Sequence, residues 1–451
     1  MPAGANLEDL PMTSPANAVR SQKEITALLF RKLMPLLVIG YVLSFLDRTN
    51  IALAKHQLEI DLGISAAAYG LGAGLFFLTY ALFEVPSNLI MHKVGARFWI
   101  ARIMVTWGLI SAAMAFVQGE TSFYVLRVLL GIAEAGFFPG VMLYLTYWFG
   151  REERAKATGY FLLGVCLANI IGGPLGGVLM QLDGVWGWHG WQWMFVLEGL
   201  PAACFAIIVW KKLPDCPSKA PWLTAGESQA LEERLARERE EGGHGDHSIR
   251  QWLQPQILLA IFVYFCHQIT VYTVIFFLPG IIRTYGDLSI LTIGLLTALP
   301  WIAAALGAAT LPRFANTPAR SRALLVGGYV VMASGLFIAA FSGPVIALLG
   351  FCIAASMFFL VQSIIFIYPS SRLKGTALAG GLAFVNSCGL LGGFVGPSVM
   401  GWIEQSTGRS TNGLVFMALL LLVAALASLA LRQGQEAERP AAQRHTVRKT
   451  V

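Results

Sequence analysis

Twelve apolar runs of about 20 residues or more constrain the fold of this 451-residue chain more than any other feature. A helix of that length crosses the hydrocarbon layer of a membrane while satisfying its own backbone N–H and C=O groups. Charged residues make up only 13% of the chain, against about 25% in soluble domains. We therefore predict an all-α membrane protein with twelve transmembrane helices. The predicted spans are residues 33–54, 67–91, 98–118, 122–148, 156–180, 192–210, 255–279, 288–311, 323–342, 344–368, 375–402 and 412–431.

Basic residues alternate along the connections between these spans, and this pattern predicts the orientation of the chain. One set of connections is rich in lysine and arginine, whereas the other holds scattered examples such as Lys55, Arg283 and Arg409. Positive charge marks the cytoplasmic side, so we predict that both termini are cytoplasmic. The net charge of +7 follows this pattern without forming a basic face, and we predict no nucleic-acid partner. The basic connections contain Lys93, Arg97, Arg151, Arg154, Lys156, Arg313, Arg320, Arg322, Arg372 and Lys374.

A polar segment separates the spans into two sets of six. Within it, Thr224 and Glu227 have the spacing of a capping box, and Leu231 and Leu235 share a helical face, which predicts a short amphipathic helix. We expect this helix to be a solvated cytoplasmic connector, with a membrane-surface or partner role as the alternative. The predicted domains are a cytoplasmic tail at residues 1–29, a six-helix bundle at 30–212, the linker at 213–251, a second six-helix bundle at 252–432 and a cytoplasmic tail at 433–451.

The two sets of six spans resemble each other weakly. The stretch GGPLGG in the fifth span is echoed by GLLGGFVGP in the eleventh, and a basic connection follows both the second and the eighth span. Two related six-helix halves around a site at the membrane midplane are the architecture that alternating access requires. We therefore predict two pseudo-symmetric bundles.

The sequence lacks the motifs of nucleotide binding and of common catalytic sites. It contains no GxxxxGK[ST] and no GxSxG, and GLGAG at residues 70–74 is not preceded by a strand pattern. Its six cysteines are far apart, with no CxxC pair and no histidine at metal-ligand spacing. We predict a protein that is not an enzyme, uses no cofactor, metal or ATP, and acts as a monomer. A transporter-like nutrient receptor is a further alternative, but the linker and tail offer no large signalling domain.

Two groups of charged residues inside predicted spans are candidates for a functional site. LSFLDRTN in the first span contains Asp47 and Arg48, and LRVLLGIAEAG in the fourth places Arg127, Gly131 and Glu134 on one helical face. Each charge costs roughly 2.5 to 3.5 kcal/mol at the membrane centre, so each needs a partner or a water-filled cavity. Because neighbouring side chains point about 100° apart on a helix, we predict that Asp47 pairs with Arg127 while Arg48 faces a cavity and binds an anion. A purely structural ion network is the alternative.

Uncharged polar side chains also occur within apolar spans, where each needs a hydrogen-bond partner. Taken singly they are more typical of helix–helix hydrogen bonds than of ligand contacts, but their spread over both halves suits a hydroxylated substrate. Aromatic rings at the same depth, Phe76, Phe77, Phe358 and Phe359, favour a flat aromatic acid instead. The polar residues are Tyr80, Asn169, Gln268, Tyr272, Gln362, Ser363, Asn386 and Ser387.

Two other polar residues have simpler interpretations. Glu84 in FEVPSN precedes Pro86 near the predicted end of the second span, which favours a structural role at a helix end. His267 stands alone in FCHQIT, and we expect a packing or hydrogen-bonded histidine rather than a proton relay.

Several stretches together resemble the anion:cation symporter family of the major facilitator superfamily. They are FLDRTNIALA, FEVPSN with VGARFWIAR, LRVLLGIAEAGFFPG, YWFGREERAKA, WQWMFVLEG and SRLKGTALAGGLAFVNSCGLLGGFVGP, and the resemblance covers residues 25–432. The sequence is most similar to bacterial carriers of sugar acids and hydroxy acids, of the rhamnonate and tartrate type. Hydroxyphenylacetate and phthalate carriers are also similar.

The resemblance implies a proton-coupled importer of a small organic carboxylate, working by alternating access in a bacterial inner membrane. Asp47 and Glu134 match the family's protonatable carboxylates, Arg48 its substrate anchor, and Arg127 the arginine of its charge network. His92 stands where the superfamily usually has an aspartate, which removes the charge–dipole latch attributed to that residue. Carriage of aromatic acids and organic-anion exchange remain alternatives. The substrate-binding candidates are Arg48, Arg127, Tyr80, Gln268, Tyr272, Gln362 and Asn386, and the proton-coupling candidates are Asp47 and Glu134.

Overall fold

The computed structural model is helical throughout its regular structure and describes residues 20–241, 249–373 and 375–434. In these ranges, twelve helical segments are long and apolar enough to cross a membrane, which confirms the predicted number of spans. Most of the two predicted tails and the Gly- and His-rich end of the linker lie outside the described residues.

The first six spans are built from eight helices, because two spans are interrupted. They are α1 (Gln22–Thr49), α2 (Ile51–Leu62), α3 (Ala66–Val94), α4 (Ala96–Ala113), α5 (Glu120–Glu134), α6 (Phe137–Leu145), α7 (Arg151–Leu179) and α8 (Gly190–Lys212). The linker contains α9 (Ala225–Glu241). The last six spans are α10 (Pro255–Arg283), α11 (Ile290–Thr310), α12 (Pro318–Phe341), α13 (Pro344–Ser356), α14 (Phe358–Arg372), α15 (Gly375–Leu390), α16 (Gly392–Thr407) and α17 (Ser410–Ser428).

Several helices extend past the spans predicted from hydropathy, since hydropathy marks only the section that lies in hydrocarbon. The helix α1 begins at Gln22, eleven residues before the predicted span, because Ser21 caps it and Glu24 completes a capping box. The helix α3 continues through Pro86 to Val94. Glu84 therefore lies well inside a helix, and the prediction that it lies at a helix end is wrong.

Four spans are interrupted near the middle of their length, and one interruption has a clear steric cause. Ala135 leaves the helical conformation with a ψ of 131°, and Gly136 has a φ of +90°, which favours glycine. A side chain at Gly136 would also collide with the hydroxyl of Ser87. Non-helical backbone is tolerated at membrane depth where it is buried or lines a cavity, so these positions mark the interior. The interruptions fall at Asn50, at Ala135 and Gly136, at Met357 and at Leu391.

The ends of the antiparallel spans form two faces. We call the end that carries the start of α1, the linker helix α9 and the end of α17 the terminal face. The other end is the opposite face, where Lys55 of α2 forms an ion pair with Glu404 of α16 and the backbone N–H of Ala67 donates to Gln405 Oε1 at 3.0 Å. Both contacts join the first half of the chain to the second.

The two halves meet along α3 with α16 and along α7 with α11. A Cβ atom at Gly70 would lie 2.2 Å from the carbonyl oxygen of Pro397, and one at Gly173 would lie 2.4 Å from that of Gly294. Glycine is required at such distances because no side chain fits between the two backbones. The halves are therefore closed against each other toward the opposite face.

The linker helix α9 is docked on the first half rather than solvated. Its capping box is confirmed, since Thr224 N donates to Glu227 Oε2 at 2.9 Å and Glu227 N to Thr224 Oγ1 at 3.3 Å. Leu231 and Leu235 are both buried. Arg234 also binds a carboxylate of α7 through both terminal nitrogens. The expectation of a solvated connector is wrong, because the spacing within the linker does not reveal partners far away in the sequence.

Candidate functional site

Arg48 and Glu134 form a buried ion pair where two spans are interrupted. Arg48 Nη2 donates to Glu134 Oε1, and the hydroxyl of Ser44 donates to the same oxygen at 2.7 Å. The side chain of Arg48 is 7% exposed and that of Glu134 is fully buried. In this structure Arg48 therefore does not face an open cavity as predicted, since Glu134 already occupies its guanidinium.

Aromatic rings surround the guanidinium of Arg48. Its Cζ atom lies 4.5 Å from the ring centroid of Phe45, 5.0 Å from Phe76 and 5.3 Å from Tyr80. Cation–π contacts of this kind stabilise a desolvated cation by about 2 kcal/mol in favourable cases. The second half reaches the same region through Tyr272, whose ring centroid lies 4.1 Å from that of Phe77.

Asp47 points away from Arg48 and does not contact Arg127. Its two carboxylate oxygens accept hydrogen bonds from Trp107 Nε1 at 3.0 Å and from Ser111 Oγ at 2.7 Å, both on α4. The predicted pairing of Asp47 with Arg127 is wrong. Helical spacing gives the direction in which Asp47 points but not the helix it meets. Trp107 and Ser111 were missed, although their separation of four residues places both on one face of α4.

Arg127 is fully buried and binds backbone carbonyls instead of a carboxylate. Its Nε donates to the carbonyl of Gly72 at 3.2 Å and its Nη2 to that of Ala73 at 3.3 Å. Its Cζ lies 5.0 Å from the ring centroid of Phe76, which Arg48 also contacts. Arg127 and Arg48 therefore share one aromatic ring at the site.

Some polar atoms of the site have no hydrogen-bond partner among the described residues. These include the second carboxylate oxygen of Glu134, Oε2, and the Nε atom of Arg48. Both atoms are buried and belong to the ion pair. Glu134 Oε2 is therefore free to accept a proton, and the N–H of Arg48 Nε is free to donate to an anion. The Nη1 atom of Arg127 is likewise unpartnered.

In the second half, Tyr264 connects two of the predicted binding residues. Gln362 Nε2 donates to the hydroxyl of Tyr264 at 3.3 Å, and that hydroxyl donates to Asn386 Oδ1 at 3.4 Å. Tyr264 was missed, although it precedes Gln268 by four residues and Tyr272 by eight on one helical face. Gln268 is buried on α10 with them. Tyr264, Gln362 and Asn386 thus form one hydrogen-bonded cluster in the second half.

Other polar candidates bond within their own helices. Asn169 Nδ2 donates to the carbonyl of Val165 at 2.8 Å, and Ser363 Oγ to that of Leu360 at 2.8 Å. Ser387 instead donates to Glu84 Oε2 at 3.1 Å and so joins the two halves. These contacts place Asn169 and Ser363 outside the cluster.

His267 and Phe358 pack together inside the second half. The ring of His267 is fully buried, its centroid lies 6.3 Å from that of Phe358, and neither of its nitrogens has a hydrogen-bond partner among the described residues. Phe358 also packs on Trp301 at 6.1 Å. Phe358 thus packs against His267 and Trp301 in this structure, and the buried position of His267 agrees with a packing histidine.

A cavity of about 360 Å³ opens at the opposite face and not around Arg48. Lys55, His56, Arg283 and Glu404 line it, and it extends inward to Leu53 of α2. The ion pair of Lys55 and Glu404 lies in its wall.

In the part of the chain that the structure describes, twelve helical segments long and apolar enough to cross a membrane form two halves, and a buried ion pair lies where two of them are interrupted. This architecture is that of a multi-pass membrane transporter. Residues 37–397 match the model of the Major Facilitator Superfamily, and the chain belongs to this superfamily.

Two bacterial relatives cover almost the whole chain. A protein of Agrobacterium vitis named "Putative tartrate transporter" is 42% identical over 405 residues, which are 89% of this chain and 90% of the relative. A "Quinolone resistance transporter" of Acinetobacter baumannii is 39% identical over 404 residues, which are 89% of this chain and 93% of the relative. Among solved structures, a bacterial homologue of the human lysosomal transporter Spinster, in an inward-facing and occupied conformation, has a TM-score of 0.71 and 19% identity. The aligned region covers 89% of this chain and 97% of the chain of that structure, and this similarity supports the fold alone.

Proposed function

We propose that this protein imports a small organic carboxylate, a hydroxy acid or sugar acid, together with protons by alternating access. The terminal face would be cytoplasmic, as the distribution of basic residues predicts, and the membrane would be a bacterial inner membrane. The observation that carries the proposal is the buried ion pair of Arg48 and Glu134. The name of the Agrobacterium vitis relative supports an organic acid as the substrate.

The ion pair couples substrate and proton by competition. A substrate carboxylate that binds Arg48 displaces Glu134, because both anions need the same guanidinium. Glu134 would then be a buried carboxylate without a cation, which is too costly unless it takes up a proton. The site therefore alternates between Arg48 bound to ionised Glu134 and Arg48 bound to substrate beside protonated Glu134. Release of the substrate to the cytoplasm restores the first state and frees the proton.

Asp47 does not take part in this competition, because neutral donors on α4 hold it. We propose that it carries a proton separately, as the family resemblance implies. The domain boundaries predicted from the sequence and the monomeric state also remain proposals.

An aromatic acid is a second candidate substrate, and the rings around Arg48 favour it. A flat acid would stack between Phe76 and Tyr80 while its carboxylate binds Arg48. A hydroxylated acid would instead extend toward the polar cluster of Tyr264, Gln362 and Asn386 in the second half.

Uptake into proteoliposomes with an imposed pH gradient tests the proposal. We expect concentrative uptake of one class of organic acid when the outside is acidic, and none without the gradient. Competitors from the sugar acids, hydroxy acids and aromatic acids identify the class. If uptake is independent of the pH gradient but is stimulated by an organic anion loaded inside the vesicles, the protein is an exchanger and not a symporter.

A further inference from the structure

A hydrogen bond between Ser387 of α15 and Glu84 of α3 joins the two halves in the interior of the protein. Ser387 Oγ donates to Glu84 Oε2 at 3.1 Å, and Glu84 is only 4% exposed. The mechanism above gives neither residue a role. A buried polar contact between two bodies that move against each other is a candidate for control of that movement.

The position of Glu84 along α3 places this contact on the terminal side of Arg48. The helix α3 runs from the opposite face at Ala66 to the terminal face at Val94. The ring centroid of Tyr80 lies 5.3 Å from Cζ of Arg48. Glu84 follows Tyr80 by four residues, so it lies on the same helical face and about 6 Å nearer the terminal face. A substrate that leaves Arg48 toward the terminal face must pass this level.

The helix α15, which carries Ser387, is fixed to the second half of the protein. A Cβ atom built at Gly389 would lie 2.0 Å from Cδ1 of Tyr264 of α10. Nearer the terminal face, Trp252 Nε1 donates to the carbonyl of Ala377 at 3.1 Å. Ser387 therefore moves with the second half, and its bond to α3 must break when the halves separate on this side.

The same span is held to α3 in a different way beyond its interruption at Leu391. In α16, a Cβ atom at Gly401 would lie 2.3 Å from the carbonyl oxygen of Ala66, much like the contact of Gly70 with Pro397. Helices packed at backbone distance form extensive van der Waals contacts. The contact of α15 with α3 instead includes a hydrogen bond between two side chains. The close packing of α16 on α3 is therefore suited to act as a pivot, and the side-chain hydrogen bond is the contact that opens.

We propose that Glu84 and Ser387 form a latch that closes the terminal side of the site, and that the second half pivots where α16 packs on α3 when this latch opens. The inference rests on the alternating access of the proposed function. On the opposite side, the ion pair of Lys55 with Glu404 and the glycine packing hold the halves together. Loss of the latch therefore opens the protein toward the terminal face while the opposite face stays closed.

Spin labels placed across the terminal face measure the state of the latch. In a variant without the native cysteines, Lys93→Cys near the end of α3 and Arg313→Cys after α11 put one label on each half, and both native side chains are exposed. Double electron–electron resonance in proteoliposomes gives the distribution of distances between the labels. We expect Ser387→Ala to raise the population of longer distances about fivefold, because a hydrogen bond of this kind stabilises the closed state by about that factor. Ser363→Ala is the matched control and should equal wild type, since its hydroxyl donates within its own helix.

Two variants of Glu84 distinguish a latch from a general packing role. Glu84→Gln keeps an oxygen that accepts from Ser387 and should stay within twofold of wild type. Glu84→Leu has a similar size but no acceptor, and it should open the terminal side as Ser387→Ala does. Combining Glu84→Leu with Ser387→Ala should open it no further, because both changes remove the same bond. A second label pair at the opposite face, Glu59→Cys with Asp287→Cys, should keep wild-type distances in every variant.

The outcomes separate this inference from the proposed function, because the distance measurement needs no substrate. A Ser387→Ala protein with the wild-type distribution overturns the latch, and so does a Glu84→Gln protein that opens as far as Glu84→Leu. If the latch variants open the terminal side but wild-type vesicles accumulate no organic acid, the latch stands and the proposed function fails. Size-exclusion chromatography in detergent checks the folding of each variant. Should the Glu84 variants aggregate, the comparison of Ser387→Ala with Ser363→Ala decides.

Discussion

Lys55 of α2 and Glu404 of α16 form an ion pair that joins the two halves of the protein at the opposite face. The side chain of Lys55 is 8% exposed and that of Glu404 is 20% exposed. Lys55 also lies 4.7 Å from the ring centroid of Phe277. The pair must break before the halves can separate on this side, so it stabilises the closed arrangement seen here.

Glu404→Gln should therefore shift the protein toward an arrangement open at the opposite face. Loss of this partly buried pair removes on the order of 1 to 2 kcal/mol, which corresponds to a shift in population of about tenfold. A single cysteine at Gly280 reports the shift, since a side chain there fits 3.6 Å from Lys55. In a cysteine-free background, Glu404→Gln should speed labelling of Gly280→Cys by an impermeant maleimide. The double exchange Lys55→Glu with Glu404→Lys should restore slow labelling. Equal labelling rates in all three proteins would show that this ion pair does not hold the two halves closed.

Arg48→Lys should reduce uptake of the substrate at least about tenfold without affecting insertion, because lysine lacks the two-pronged donor geometry of arginine. It also loses the stacking of the guanidinium on Phe45 and Phe76. Substrate affinity measured by scintillation proximity checks this, with Arg102→Lys as the control. Arg102 stacks on Trp99 at 3.8 Å outside the site, and its replacement should leave affinity unchanged. If Arg48→Lys binds the substrate with wild-type affinity, a residue other than Arg48 binds the substrate carboxylate.

Glu134→Gln should abolish accumulation driven by the pH gradient and keep exchange of substrate. The amide preserves the size of the side chain and cannot be protonated, so binding no longer draws in a proton. Arg48 also loses its competitor, so substrate affinity should depend less on pH than in the wild type. Counterflow and gradient-driven uptake in the same vesicles distinguish the two activities. Accumulation at the wild-type level would remove Glu134 from proton coupling.

The linker contact of Arg20 with Glu227 should hold at every physiological pH. The guanidinium of Arg20 donates to both carboxylate oxygens, and this lowers the pKa of Glu227 from its ordinary value of 4.5 to about 2. A lowered pKa means that the contact stabilises docking above pH 4.5 and loses this contribution as the pH falls toward 2. Because Arg20 is 35% exposed, we expect a contribution of only about 1 kcal/mol.

Limited proteolysis of the linker measures this contribution. Glu227→Gln should be cut several times faster than wild type at pH 7, whereas wild type should be cut equally at pH 7 and pH 5.5 by a protease active at both. Glu233→Gln, at an exposed position of the same helix, is the control and should behave as wild type. Faster cutting of wild type at pH 5.5 would show that another acid holds the linker.

The number of spans was predictable because the hydrophobicity of each span follows directly from the bilayer. The partners of the buried charges were not, because they depend on how helices rotate against one another. Spacing placed Arg127 and Glu134 on one face, but only packing decides that Glu134 meets Arg48 while Arg127 meets backbone carbonyls. Asp47 illustrates the same limit, since its donors belong to α4, a helix without intramembrane charge at that level.

Tyr264 should decide between hydroxylated and aromatic substrates. Its hydroxyl joins Gln362 and Asn386 in the second half, and a hydroxylated acid held between the halves would use this cluster. Tyr264→Phe keeps the ring and removes the hydroxyl, so it should weaken binding of sugar acids by about 5- to 10-fold. Binding of aromatic acids such as phthalate or hydroxyphenylacetate should change less than twofold. Tyr329→Phe is the matched control, because its hydroxyl donates to the carbonyl of Val263 away from the cluster. If Tyr264→Phe leaves sugar-acid competition intact and only aromatic acids compete with the labelled substrate, the rings around Arg48 define specificity and the polar cluster serves packing.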